Sequence, residues 1–145
     1  RSVNLRNTYN LEKELYDLLQ KHREAFDLAT PEVVEYEDYH TLDAEIVIFA
    51  HGIVAAAVRE AVDELRKENI KVGLFRPVTL NPFPRQSALA VVPNKKLVLV
   101  VESSLGQFEK IVKANLYGLP TPIQSLLKPA MGINPEEIIA KIKSL

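Results

Sequence analysis

The sequence predicts an α/β domain in which a mostly parallel sheet is covered by helices on both faces, a three-layer α/β/α arrangement. Three observations predict it. Residues 44–50 (AEIVIFA), 70–75 and 97–101 (LVLVV) are near-continuous apolar runs, the pattern of strands covered on both sides. Helical patterns alternate with those runs, which calls for parallel pairing with crossover helices. The intervals between them are punctuated by Gly and Pro, as turns require. No low-complexity tract or linker divides residues 32–145, and the strand–helix units share no self-similar sequence, so the alternation is architecture and not a tandem repeat.

The elements follow in order. After a polar opening, Leu11, Leu15, Leu18, Leu19 and Phe26 recur at helical spacing between Glu, Lys and Arg, predicting an amphipathic helix over about 9–28. Thr8 is placed to cap it and Pro31 to forbid its continuation. Val33-Val34-Glu35-Tyr36 is short and β-prone. The 44–50 run is broken by His51-Gly52, after which Val54, Val58, Ala61, Val62 and Leu65 define one helical face. The 70–75 run is ended by Arg76-Pro77, and Pro77, Pro82 and Pro84 strip amide donors from the loop that follows. Pro84 suits the first turn of a short helix reaching Val91. The 97–101 run ends in Glu102-Ser103-Ser104-Leu105-Gly106, and Phe108, Ile111, Val112 and Leu116 mark the inner face of the next helix. A weaker strand covers about 122–127. Asn134-Pro135-Glu136-Glu137 supplies an N-cap, a proline at the first helical position and a glutamate closing the box for a last helix over about 135–144.

Composition narrows the function. The chain has 145 residues, 18 basic and 19 acidic, a net charge of −1, 47% apolar and 26% charged residues, the balance of one ordinary globular domain. Scattered charge of both signs argues against nucleic-acid binding, which needs a concentrated basic face. No apolar run reaches the ~18 residues of a membrane span. Zero cysteines exclude disulfides, thiolate metal sites, a cysteine-held iron–sulfur cluster and a thiol nucleophile within this chain. It begins with Arg1 and not Met, and no signal-peptide pattern follows, so we expect a processed product or a piece of something larger.

In an open α/β sheet the ligand crevice lies beyond the carboxyl ends of the strands, where strand order reverses. That rule selects His51-Gly52, Arg76-Pro77 and Glu102-Ser103-Ser104: a histidine, a guanidinium and a carboxylate that could converge on one rim. One glycine in the Ala50–Val54 turn is too few for a dinucleotide fingerprint, and no P-loop exists. His51 has no neighbouring nucleophile, and His22 and His40 lack ligand-like spacing, so no residue is assigned a catalytic or metal-binding role, and no cofactor-binding residue is assigned. A guanidinium held beside Pro77 suits a carboxylate or phosphate; the expected partner is Glu102, in a salt bridge across the strand ends. Leu80 and Phe83 form an apolar pair on the stiff Pro77–Pro84 loop, more naturally a docking edge than a catalytic loop.

At this point a resemblance enters. GIVAAAVREAVDELRKENIKVGLFRPVTLNPFP, then LVLVVESSLGQFEKIV and the closing INPEEIIAKI, resemble the C-terminal, transketolase C-terminal-like domain of the alpha subunit of 2-oxoacid:ferredoxin oxidoreductases. The resemblance covers nearly all of 31–145, with 1–30 matching a connecting segment. Its most specific parts are Lys71–Leu74 with Arg76-Pro77 and Pro82-Phe83-Pro84, and the Glu102…Gly106-Gln107 turn. It implies a five-stranded mixed sheet whose short first strand is an antiparallel edge and whose 45–50 strand is central. It also implies an enzyme that oxidatively decarboxylates a 2-oxoacid (pyruvate, 2-oxoglutarate or a branched-chain acid) with coenzyme A, reducing ferredoxin in the cytoplasm. Thiamine diphosphate, magnesium and iron–sulfur clusters would be held by an upstream module and other subunits, none by residues here. The expected role is assembly, alone inactive, with His51, Gly52, Arg76, Phe83, Glu102, Ser103, Gly106 and Gln107 as rim or interface candidates. The chain departs from the family's usual glycine–serine turn at Gly52-Ile53, where Ile53 offers no capping hydroxyl. Rival readings are a free-standing module for a small anion or nucleotide, and the equivalent domain of another thiamine enzyme.

Overall fold

The structure is a computed structural model that describes residue 9 and residues 11–145. The chain divides into two compact units, one ending at Val33 and one spanning Val34–Leu145. The first contains α1 (Glu12–Val33). The expected Thr8 cap lies outside the described residues. The helix does not stop before Pro31, contrary to expectation, but carries it inside the last turn. So close to the end a proline interrupts little of the ladder: the amide it lacks is the one that would reach the Asp27 carbonyl, and beside it the Thr30 hydroxyl donates back to the Phe26 carbonyl at 2.8 Å.

The second unit holds β1 (Tyr36–Tyr39), β2 (Ile46–Phe49), α2 (Val54–Lys67), β3 (Val72–Pro77), α3 (Arg85–Val91), β4 (Leu97–Glu102), α4 (Gln107–Asn115), β5 (Ile123–Leu127) and α5 (Pro135–Lys143). The five strands form one sheet of order β1-β3-β2-β4-β5. β1 is antiparallel to β3 and every other pairing is parallel. The expected mixed sheet, with the 45–50 strand central and the next two on its flanks, is thus the observed one. β1 lies about three residues later than the sequence suggested. β3 also runs through Arg76-Pro77 instead of ending before them. Pro77 can close the strand because Glu35 O accepts from Val78 N and Thr79 N, not from residue 77.

Side-chain parity sorts the core into two layers. Ile48, Ala50, Val72, Leu74, Leu99 and Val101 face α2 and α5, meeting Val58, Leu65, Ile138 and Ile142. Val47, Phe49, Phe75, Val98 and Val100 face α3 and α4, meeting Ala88, Phe108 and Val112. Burying each large member stabilises the fold by about 1.5–3 kcal/mol, which is why both faces must be helix-covered. At α5 the expected capping box is complete: the Asn134 side chain accepts from Glu137 N, and the Glu137 side chain accepts from Asn134 N. Pro84 falls at the N-cap of α3, one position before the helical turn expected for it.

Candidate functional site

β3 and β4 lie on opposite sides of β2, so strand order reverses between β2 and β4. The rim at their carboxyl ends, where the strand-end rule looks for a ligand, is therefore bounded by the turns after those two strands. The register sets Phe49 beside Val100, which brings His51 level with Glu102. Both continue the parity of the α4 face. The His51 ring lies 4.5 Å from the Phe108 ring, centroid to centroid. Burial holds its imidazole below its ordinary value, opposed by the Glu102 carboxylate. His51 and Glu102 are the pair of candidates that the structure brings together.

Glu102 is the unexpected residue. Only 1% exposed, its carboxylate occupies the start of α4: Oε2 accepts from Phe108 N at 3.0 Å and Oε1 from Glu109 N at 2.9 Å. The Ser104 hydroxyl donates to the same carboxylate. The N-cap position itself is Gly106, left-handed at φ 87 and without a cap of its own. A carboxylate from the preceding strand thus supplies what the cap residue lacks, at the positive end of the helix where negative charge is favoured. Gln107 finishes the turn by accepting from Leu105 N at 2.7 Å. Ser103 is half-buried, and its carbonyl accepts from Ala130 N at 3.4 Å.

Arg76 does not meet Glu102. It sits with Val72 and Leu74 on the α2 side of the sheet, whereas Glu102 sits with Val98 and Val100 on the α4 side, so the sheet separates them. Instead, Arg76 Nη1 donates to Glu37 Oε1 at 3.0 Å, directly across the antiparallel pairing of β1 and β3. Arg59 completes the bridge from α2, donating to Glu37 Oε2 at 2.9 Å and lying over the Tyr39 ring. The docking pair on the proline loop is also corrected: Leu80 and Phe83 are half-buried against the α3–α4 core layer. Val78 (41%) follows β3, and the other exposed apolar side chains in the turns at this end include Ile53 (88%), Leu105 (73%) and Met131 (60%). These last three stand in the turns after β2, β4 and β5, three neighbouring strands.

The α2 start differs from that of α4. Gly52 is left-handed at φ 57, and Ile53 stands at the N-cap with no side-chain hydrogen bond, as its missing hydroxyl predicts. No group of three or more His, Cys, Asp or Glu side chains among the described residues could hold a metal ion. The residues of this chain do not fit the cofactors of the resembling enzymes. There is no cysteine for a cluster, and the amides that a diphosphate would use at α4 are already bound by Glu102.

A mixed sheet of this order, helix-covered on both faces with its rim at the β2–β4 switch, defines an open three-layer α/β/α domain. Residues 44–138 match the family described as pyruvate:ferredoxin oxidoreductase core domain II, and the chain belongs to it. Among curated relatives, the ketoisovalerate oxidoreductase subunit VorB of Methanothermobacter marburgensis is 42% identical over 80 residues, 55% of this chain and 23% of its own length. The 2-oxoglutarate synthase subunit KorA of the same organism is 29% identical over 136 residues, 93% of this chain and 34% of its own. In fold, the chain is similar to a 2-oxoglutarate:ferredoxin oxidoreductase from Magnetococcus marinus, solved with 2-oxoglutarate, coenzyme A and succinyl-CoA (TM-score 0.78, 22% identity, 93% of this chain, 24% of that one). It is also similar to a split-gene transketolase (TM-score 0.60, 20% identity, 68% of this chain, 37% of that one). This chain therefore spans about a quarter to a third of these three oxidoreductase chains.

Proposed function

We propose that this chain is the C-terminal assembly domain of the alpha subunit of a 2-oxoacid:ferredoxin oxidoreductase, with residues 1–30 as a connecting segment and 31–145 as the domain. The enzyme would convert a 2-oxoacid such as pyruvate, 2-oxoglutarate or a branched-chain acid to an acyl-CoA in the cytoplasm. Electrons would pass to ferredoxin through iron–sulfur clusters, and thiamine diphosphate with magnesium would act in the upstream module and a partner subunit. The observation that carries this reading is the rim itself. Its exposed side chains include the apolar Ile53, Leu105 and Met131 beside Gln107, while its buried carboxylate is fully engaged in holding α4. Apolar surface displayed at such a rim suits docking, and the carboxylate is spent in holding α4, which leaves His51 without an acidic partner free to act with it. His51, Gly52, Ser103, Gly106 and Gln107 shape that surface. Phe83 supports the loop beside it from the core. Arg76 acts through the β1–α2 ion bridge on the far face.

The same geometry speaks against an anion site at the start of α4, since the α4 amides are occupied from within. The test is 2-oxoacid-dependent reduction of a viologen dye in the presence of coenzyme A. The expected result is no turnover by this chain alone and turnover when the complete subunit set is assembled; turnover by the chain alone refutes the assembly role.

A further inference from the structure

The sheet has two edges, and they differ in how they are protected. β1 is four residues long and carries Glu37 and Asp38, the short charged edge that discourages pairing with another chain. β5 is five residues, Ile123-Gln124-Ser125-Leu126-Leu127, without charge, proline or bulge. It ends a run, residues 114–127, with no charged side chain, in a protein where 26% of residues are charged. Tyr117 (86% exposed) and Leu127 (40%) add apolar surface to that run.

The backbone alternation states which groups are free. Pro122 O accepts from Val98 N at 2.9 Å and Lys128 N donates to Glu102 O at 3.0 Å, so even-numbered residues turn their polar groups toward β4. Ile123, Ser125 and Leu127 consequently turn theirs outward, and no described strand pairs with that side. A row of alternating donors and acceptors is complementary to one thing, another extended strand.

We propose that the outer edge of β5 pairs with the same edge of a second copy of this chain, antiparallel about a two-fold axis at Ser125. In that register Ser125 meets its own copy, Ile123 meets Leu127, and each opposed pair exchanges both backbone bonds. Gln124 falls beside Leu126, and Lys128 falls beside Pro122 and not beside another cation. Lys128 is moreover held by Glu137 at 2.5 Å. Among residues 122–128 no like charges are opposed, and Lys141, the cation that reaches this strand from α5, is taken up by Gln124 Oε1 at 3.1 Å, so the edge is complementary to itself. The two sheets become one across the axis. This goes beyond the assembly reading, which concerns the carboxyl-end rim and not the strand edge.

The experiment is amide hydrogen exchange on the 145-residue chain at rising concentration, paired with sedimentation. The expected result is a doubling of mass accompanied by protection of the Ile123, Ser125 and Leu127 amides that grows with concentration, while Gln124 and Leu126 are protected throughout. Leu127→Lys, at an exposed position, should weaken self-association roughly tenfold or more, with the melting temperature of the dilute chain little changed. The proposal is overturned by a chain that stays monomeric with those three amides exchanging freely. It is equally overturned by association that survives the Leu127→Lys variant, or by protection that arises only when a different subunit is added. None of these readouts depends on enzymatic turnover, so they stand apart from the test of the assembly role.

Discussion

The turns after β2 and β4 lie side by side at the switch point, and each starts a helix behind a left-handed glycine, Gly52 or Gly106. At α4 the orphan amides are satisfied by Glu102, a residue of the preceding strand. At α2 they receive no side chain, and Ile53 projects into solvent instead. The same backbone problem is thus solved inwardly at one turn and left open at its neighbour. The difference teaches that the rim's buried charge is structural: the α4 amides that the strand-end rule would offer to an anion are taken from within, while those of α2 are met by no side-chain cap.

That contrast can be broken at several points. The largest effect should come from Glu102→Ala, which orphans two amides and the Ser104 hydroxyl in a buried site. We expect a loss of about 2–4 kcal/mol in stability, with Glu102→Gln losing about half, both measured by urea unfolding. Ile53→Asp should act in the opposite direction, giving α2 the cap it lacks and raising stability by about 0.5–1 kcal/mol in the same measurement. The smallest effect concerns His51. Because burial lowers its folded-state value below 6.5, the unfolded chain takes up this proton first as pH falls. The stability contributed by the neutral ring is complete above 6.5 and declines below it until the folded-state value is reached. His51→Gln should flatten that part of the pH dependence, as read from unfolding midpoints across pH 5 to 7.

How much of this was legible in the sequence depended on the range of each interaction. The strand runs, the capping box at α5 and the missing cap at Ile53 are written within a few neighbouring residues, and the structure reproduces them. The central place of β2 came through the family resemblance. The Arg76–Glu37 bridge was not legible, because its partners are 39 positions apart and meet only through the antiparallel register of β1. Parity could have warned against Arg76–Glu102: counting by twos from Leu74 and from Val100 puts the two side chains on opposite faces once both cores are assigned. The Glu102 cap was missed because capping is sought at the residue next to a helix, whereas this carboxylate reaches from six residues before Phe108. A glycine at the cap position, with an acid ending the strand before it, is the signal that would find it. Leu80 and Phe83 look like a free apolar pair on a polar loop until α3 and α4 are in place to receive them.

The most direct test is assembly of the complete oxidoreductase with Ile53→Asp and Leu105→Asp in this domain, read by the mass of the complex. Both side chains are exposed, so the domain itself should fold, and the account predicts that the altered subunit fails to join its partners. A complex of full mass, whether its turnover is lost or intact, would contradict the claim that the rim is a docking surface.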